Sequence, residues 1–180
     1  MNTRILLALA VYLSTIPLAN WFIGNVGTEA FPGGPHVIPV GFGYTAPSGV
    51  LLIGLGLASR DAVQRLAGKW WTLAAIGIGV ALSYVVNPAI ATASAAAFLL
   101  GELADFAVYT PLSSRDLPLA ILASGAVGAV IDTFVFLQIA FGSLQFWQGQ
   151  IIGKTWVTLA CAFAVWLYRA VPIRLTPREA

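Results

Sequence analysis

The chain has 180 residues, of which 59% are hydrophobic and only 9% are charged, and its mean hydropathy is +0.88. Because a soluble domain carries about 25% charged residues, this composition excludes an ordinary soluble protein and indicates an integral membrane protein with the lipid bilayer as its main solvent. The formal net charge of +2 is too small to indicate nucleic-acid binding.

The first predicted membrane span covers residues 5–23. It follows Arg4 as a signal peptide would, but no small-x-small cleavage site comes after it, so we interpret it as a retained membrane helix. The second predicted span, residues 38–58, contains two prolines and two glycines in its first part. We expect broken or re-entrant backbone there, which is stable at membrane depth only where protein or a water-filled cavity satisfies its polar groups. Such interrupted segments often mark binding sites in transporters.

Four further spans are predicted after a polar stretch at residues 59–69, which we interpret as a loop or an interfacial helix. An Asn87-Pro88 turn separates the third span from the fourth, because the residue before proline is disfavoured in the α region. The sequence therefore predicts an all-α membrane protein with six transmembrane helices in a single domain, residues 1–180. The third to sixth spans are expected at residues 70–86, 89–109, 117–141 and 148–168.

Basic residues alternate between the predicted loops. The loops after spans one, three and five contain no lysine or arginine. The other loops and ends carry Arg4, Arg60, Arg65, Lys69, Arg115, Arg169, Arg174 and Arg178. By the positive-inside rule, both the N- and the C-terminus are expected in the cytoplasm, and Asp61 and Asp116 are assigned to cytoplasmic loops.

Four ionisable residues lie inside the predicted spans. Glu102 and Asp105 belong to the fourth span, Asp132 to the fifth and Lys154 to the sixth. A charge at the centre of a bilayer costs about 2.5–3.5 kcal/mol on insertion scales, and such residues usually face a cavity or a partner. One Lys–Asp pair could serve only to hold helices together, but four charges favour a functional site.

The spacing of these residues predicts which helix faces meet. Glu102 and Asp105 are three residues apart and share one face of a helix. Gln150 and Lys154 are four apart, and small residues beside Asp132 would let another helix approach closely. We expect the three faces to point at one another, with Lys154 neutralising either Asp132 or Asp105.

Asn20 lies near the end of the first span. Its amide could bind the edge of a polar ligand, or it could simply cap the helix end. The single Cys161 and the single His36 predict no disulfide framework, no metal site and no Cys–His catalytic pair.

Three stretches, LLGELADFAVYTPL, SGAVGAVIDTFVFLQIAFG and GQIIGKTWV, resemble the VUT family of vitamin-uptake and queuosine-precursor transporters. The resemblance covers Ala46 to Tyr168, and its most specific part is the fifth-span pattern from Ile131 to Gly142. The sequence departs from the family at the entry to span five, which lacks the Arg-Asn pair that many members have.

The resemblance implies a fold similar to the substrate-binding component of energy-coupling-factor (ECF) transporters. It also implies import of a queuosine precursor, 7-cyano-7-deazaguanine (preQ0) or 7-aminomethyl-7-deazaguanine (preQ1). Carried over to this chain, the substrate-binding positions are Glu102, Asp105, Asp132, Lys154, Gln150 and Asn20. The chemistry is compatible, since a carboxylate accepts hydrogen bonds from the row of N–H groups on a guanine-like edge.

We therefore interpret the chain as an inner-membrane importer of a deazapurine, with no cofactor and no enzymatic activity. Protons are the expected coupling ion if transport is coupled, and the chain could act alone or as a homo-oligomer. Two alternatives remain open at this point: a vitamin-binding component of an ECF transporter, which would need energising subunits, and a membrane assembly protein that transports nothing. An intramembrane enzyme is disfavoured because no Gly-x-Gly-Asp motif, Ser–His pair or His-rich set is present.

Overall fold

The structure is a computed structural model that describes residues 3–31, 34–86 and 91–170, and this part of the chain forms six helices and one small sheet. The predicted Asn87-Pro88 turn and the predicted beginning of the fourth span lie outside these residues. The helices are α1 (Thr3–Asn25), α2 (Val50–Ala67), α3 (Lys69–Val86), α4 (Ala91–Leu112), α5 (Leu117–Phe141) and α6 (Trp147–Ala170).

The segment between α1 and α2 is an antiparallel sheet, so the first part of the predicted span at residues 38–58 consists of paired strands and the helix begins only at Val50. The strands of the sheet, in the order β1-β2-β3, are Glu29–Ala30, His36–Gly41 and Tyr44–Pro47. The strands satisfy their own backbone groups by pairing, so the segment needs no cavity at membrane depth to do so. Its glycines serve a tight turn, in which Gly41, Phe42 and Gly43 have φ values of 104°, 55° and 77°.

The sheet packs against the beginning of α6. The indole Nε1 of Trp156 donates a hydrogen bond to the carbonyl oxygen of Val40 at 2.9 Å, and the Trp156 ring stacks on Phe42 at a centroid distance of 6.1 Å. A Cβ atom at Gly149 would lie 2.0 Å from the carbonyl oxygen of Thr45, so only glycine fits where α6 passes under the strands.

Helix α2 begins at Val50, later than predicted, and continues to Ala67. The polar stretch at residues 59–69, expected to be a loop or an interfacial helix, is therefore mostly a direct continuation of the apolar part. This difference matters because α2 contacts each of the other five helices. Polar side chains on one face of this central helix, such as Arg60 and Asp61, are therefore buried among other helices.

Local signals explain why α5 begins and ends at the predicted residues. Asp116 caps its N-terminus by accepting a hydrogen bond from the backbone N–H of Leu119 at 3.1 Å, and Pro118 lies in the first turn. Gly142, with φ 61°, ends the helix in the left-handed conformation that glycine adopts without strain.

Helices α4 and α5 make the most intimate helix pair because two glycines remove side chains from their contact. A Cβ at Gly101 would lie 2.8 Å from Cβ of Asp132, and one at Gly128 would lie 2.9 Å from Cβ of Asp105. The glycines thus bring the acidic faces of the two helices together, as small residues do in membrane helix pairs.

Four described helical segments are long and apolar enough to cross a membrane: Thr3–Asn25, Thr92–Leu112, Leu117–Phe141 and Trp147–Leu167. The described part of α3 includes a shorter apolar helix, Lys69–Ser83. The charged second half of α2 makes it the least apolar helix of the bundle by composition. The chain is thus a mostly helical, multi-pass membrane protein, and the count of six spans stays a prediction.

Replacing Gly101 by alanine should destabilise the bundle, because the new methyl group would overlap Asp132 at the closest contact of α4 with α5. Overpacking of this kind costs about 1–3 kcal/mol. Gly77→Ala is the matched control, since its Cβ would meet nothing within 4 Å and alanine favours a helix. Thermal unfolding of the purified variants in detergent, followed by tryptophan fluorescence, should show a lower Tm for G101A alone.

Candidate functional site

A partly enclosed cavity lies among all six helices and the end of the sheet. Its empty volume is about 430 Å³. Its apolar wall comes from α1, α2, α4 and α5, and includes Ile16, Ile23, Val50, Ile53, Phe98 and Phe136. We call this space the first cavity. Its mostly apolar wall with a few polar groups is typical of a small-molecule site.

The polar groups of the first cavity come from widely separated parts of the sequence. They are Asn20, Ser83, Ser94, Asp132 and Gln150. The Oγ of Ser94 donates to Oδ1 of Asn20 at 3.2 Å, which fixes the amide. The Nδ2 of Asn20 then has no hydrogen-bond partner among the described residues, although only 5% of this side chain is exposed. A buried amide donor without a partner is costly unless a ligand or water satisfies it.

Asp132 forms an ion pair with Lys154 at the base of the first cavity. The Nζ of Lys154 donates to Oδ2 of Asp132 and to Oγ1 of Thr133, the latter at 2.8 Å. Lys154 is fully buried, so its charge depends on this carboxylate. Of the two partners that the sequence left open for Lys154, the structure therefore selects Asp132.

A second, smaller cavity adjoins the first and has an empty volume of about 240 Å³. The two cavities share Ile53, Phe98 and Asp132 in their walls. Glu102 lines the second cavity on its far side from the sheet, one helical turn beyond Phe98 on α4. The two cavities are thus neighbours, with Asn20 lining the first, Glu102 the second and Asp132 both.

Arg60 lies at the centre of a second group of buried charges. Its Nε donates to Oε2 of Glu102 at 3.2 Å, its Nη1 to Oε1 of Gln64 at 2.8 Å, and its Nη2 to Oδ1 of Asp105. The same Nη2 lies 3.0 Å from Oδ1 of Asp61. Arg60 and its three acids are all buried, with exposed fractions of 3% or less. We call these four residues the Arg60 cluster.

Aromatic groups complete the surroundings of the guanidinium. Cζ of Arg60 lies 5.3 Å from the ring centroid of Tyr109 and 6.0 Å from that of Phe106, within the range of cation–π attraction. The hydroxyl of Tyr109 reaches back to the backbone carbonyl of Asp61 at 3.4 Å. These contacts join the C-terminal half of α2 to the C-terminal half of α4.

The structure corrects the assignment of Arg60 and Asp61 to a cytoplasmic loop. Both lie on the continuous helix α2, where they are 0% and 3% exposed. Asp105 belongs to this cluster rather than to the walls of the two cavities, and Glu102 lines only the second one. The other predicted site residues, Asn20, Asp132 and Gln150, line the first cavity together, with Lys154 behind Asp132.

A signal for Arg60 was present in the sequence. The predicted spans contained three acids and one base. Because buried acids need basic partners, this excess of acids indicated a further basic residue at membrane depth. Arg60 directly follows an apolar helix, and Gln64 one turn later offers an acceptor on the same face. Ser83, Ser94 and the two phenylalanines gave no comparable signal, because their place in the cavity depends on how the helices pack.

The acids of this region are not arranged as metal ligands. Within the described residues, no group of three or more His, Cys, Asp or Glu side chains is placed to hold a metal ion. The groups that line the site can form hydrogen bonds and ion pairs, and Phe98 and Phe136 offer aromatic faces.

Residues 80–173, slightly more than half of the chain, match the family model described as "Putative vitamin uptake transporter". The matched range includes α4, α5 and α6, and with them Glu102, Asp105, Asp132, Gln150 and Lys154. No curated protein and no solved structure matches the chain significantly.

Arg60→Lys should destabilise the protein although it keeps the charge. An ammonium group is a compact point charge and cannot reach the three directions in which Nε, Nη1 and Nη2 bind. Loss of one charged hydrogen bond costs about 1.5–3 kcal/mol. Arg65→Lys is the control, since Arg65 is exposed and lies 3.5 Å from the carbonyl of Ser113. Equal Tm values for the two variants in detergent would contradict a structural role of the Arg60 cluster.

Proposed function

Because the chain belongs to the vitamin uptake transporter family, we propose that it imports a planar nitrogen heterocycle, a queuosine precursor such as preQ0 or preQ1, across the inner membrane. The observation that carries this proposal is the chemistry of the first cavity. A carboxylate and two amides line the same cavity as the side chains of Phe98 and Phe136, in a wall that is otherwise mostly apolar. The fit to a flat ring with a polar edge supports a deazapurine over an aliphatic ligand.

The roles of the cavity residues follow from their chemistry. Asp132 would accept the N–H groups of the guanine-like edge, and a carboxylate binds two such donors side by side. The unpartnered Nδ2 of Asn20 would donate to the ring carbonyl or a ring nitrogen, and Gln150 would supply a further donor and acceptor. Phe98 and Phe136 would contact the faces of the ring.

Lys154 would set the charge of the site. Its ion pair with Asp132 is neutral as a unit, so the cavity can hold a neutral heterocycle without a net buried charge. A ligand that competes for the carboxylate would weaken the pair, and Lys154 would keep its bond to Thr133.

The six helices would all span the membrane, with both termini in the cytoplasm. The sheet and the first cavity would then lie on the outer side and the Arg60 cluster towards the inner side. In this arrangement the cavity receives its substrate from outside, as an importer requires. Two rival roles make different predictions for uptake by the chain alone. An ECF component would need added energising subunits for uptake, and an assembly protein would transport nothing.

Asp132→Asn should abolish or strongly reduce uptake, because an amide cannot accept the same pair of N–H donors and leaves Lys154 unpaired. Loss of a charged hydrogen bond predicts roughly a tenfold to hundredfold weaker binding of preQ0. Asp116→Asn is the matched control, since Asp116 is exposed and asparagine also caps a helix. The measurement is queuosine in the tRNA of a host that lacks both precursor synthesis and its own importer.

Failure of a well-expressed wild-type protein to restore queuosine would contradict the proposed substrate. Restoration only when energising subunits are supplied would favour the ECF component instead. Binding of preQ0 to the purified protein without uptake in any host would favour a role other than transport.

Labelling of single cysteines tests the proposed topology. In a Cys161→Ser background, Ser143→Cys in the loop after α5 should react with a membrane-impermeant maleimide in intact cells. Ser114→Cys in the loop after α4 should react only after the membrane is opened. Both serines are exposed, so they form a matched pair. The reverse pattern of labelling would place the first cavity on the cytoplasmic side and contradict import through it.

A further inference from the structure

The Arg60 cluster holds more acids than its arginine can neutralise. One guanidinium faces the carboxyl groups of Asp61, Glu102 and Asp105, and all four side chains are at least 97% buried. If all three acids were ionised, the cluster would carry two uncompensated negative charges. Taking a single unpaired ion out of water costs several kcal/mol, so buried carboxyl groups of this kind take up protons instead.

The guanidinium carries one positive charge and already contacts all three acids. Its Nε binds Glu102, its Nη1 binds Gln64, and its Nη2 is shared between Asp105 and Asp61. Lys154, the other base that is buried among the described residues, is already bound to an acid of α5 and to a hydroxyl group. Protons are therefore what balances the charge of the cluster.

Polar atoms without partners lie beside the acids of the cluster. The hydroxyl of Tyr12, fully buried on α1, faces Glu102 and has no hydrogen bond of normal geometry among the described residues. Ser124 on α5 likewise faces Asp61, and Oδ2 of Asp105 is buried without a partner. A protonated carboxyl can donate to a hydroxyl oxygen, whereas an ionised one can only accept.

The cluster is connected to the first cavity at one acid. Glu102 lines the second cavity, opposite the Asp132 that the two cavities share. Its bond to Arg60 is a single contact of 3.2 Å, which protonation of Glu102 can release while Asp105 and Asp61 remain on Nη2. Glu102 is thus placed to exchange a proton between the two cavities and the cluster.

We propose that the Arg60 cluster is the proton-binding site of this transporter, separate from the substrate cavity, and that Glu102 is the residue that takes up the coupling proton. The proton forms an O–H bond at Glu102 when water in the second cavity delivers it. That bond breaks when the carboxylate returns to Arg60 and the proton leaves towards the inner side. The coupling role rests on the proposed import function, whereas the proton-binding role does not.

Charged and titratable groups face Glu102 from five helices. Arg60 balances its ionised form, the two other acids of the cluster and Asp132 oppose it, and the two tyrosines offer hydroxyl groups nearby. By helix, these groups are Tyr12 on α1, Arg60 and Asp61 on α2, Asp105 and Tyr109 on α4, Asp132 on α5 and Lys154 on α6.

Infrared difference spectra of the purified protein, recorded between neutral and alkaline pH without any ligand, test proton binding. The wild type should show the carbonyl band of a protonated carboxylic acid at neutral pH, and the band should disappear as the pH rises. It should be weaker in Glu102→Gln, where Asp61 and Asp105 still exceed the charge of Arg60 by one, and unchanged in Glu29→Gln, an exposed control on β1. A wild type without the band, or a band unchanged in E102Q, would overturn the proposal.

If E102Q does not fold, the wild type and Asp132→Asn still decide the question. A band that persists in D132N belongs to the Arg60 cluster and supports the proposal, whereas a band that disappears in D132N assigns the proton to the Lys154 pair and overturns it.

Uptake of preQ0 into proteoliposomes with a clamped membrane potential tests the coupling. With one proton per substrate, an outside pH lower by about one unit should raise accumulation by up to roughly tenfold. Accumulation by E102Q should not respond to the gradient, whatever its rate. Uptake by the wild type that ignores pH, or that follows a sodium gradient, would overturn the coupling. Absence of preQ0 uptake together with a positive infrared result would refute the proposed substrate and leave the proton site standing.

Discussion

Arg60 has no access to solvent, and a buried guanidinium is stable there because three carboxyl groups and an amide surround it. This requirement constrains the rest of the bundle. The acids come from α2 and α4, the ring of Tyr109 lies 5.3 Å away, and glycines at the α4–α5 contact let Asp105 approach closely. Helix α2 therefore has to occupy the centre, where it contacts all five other helices.

The buried charged residues form two groups that differ in their ratio of acids to bases. The first group, Lys154 with Asp132, is neutral and borders the first cavity, which suits it to a neutral ligand. The second group, the Arg60 cluster, has an excess of acids, and its Glu102 lines the second cavity. This difference in net charge is the basis for proposing separate substrate and proton sites. Asp132 and Glu102 both line the second cavity, so the two groups meet there.

Several features could be predicted from the sequence because they depend on local spacing. The limits of α5 follow from a capping aspartate and a terminal glycine. Helical periodicity and neighbouring small residues predict that the helix faces carrying Glu102, Asp132 and Lys154 point at one another. The sheet between α1 and α2 was not predicted, because its prolines and glycines were interpreted as broken or re-entrant backbone, whereas they lie in paired strands and a turn. The prediction also failed for Arg60, because a charge next to a span looks the same in sequence whether it faces water or protein.

By itself, the sequence determined that this chain crosses a membrane several times, which follows from its apolar composition, and that acids and a lysine lie at membrane depth. Tertiary structure alone decided which acid each base binds, because helices far apart in sequence had to be placed side by side. It also decided that α2 is central and that Asn20, Asp132 and Gln150 share one cavity. Periodicity specifies the face of a helix, but only the packing of all six helices specifies what that face meets.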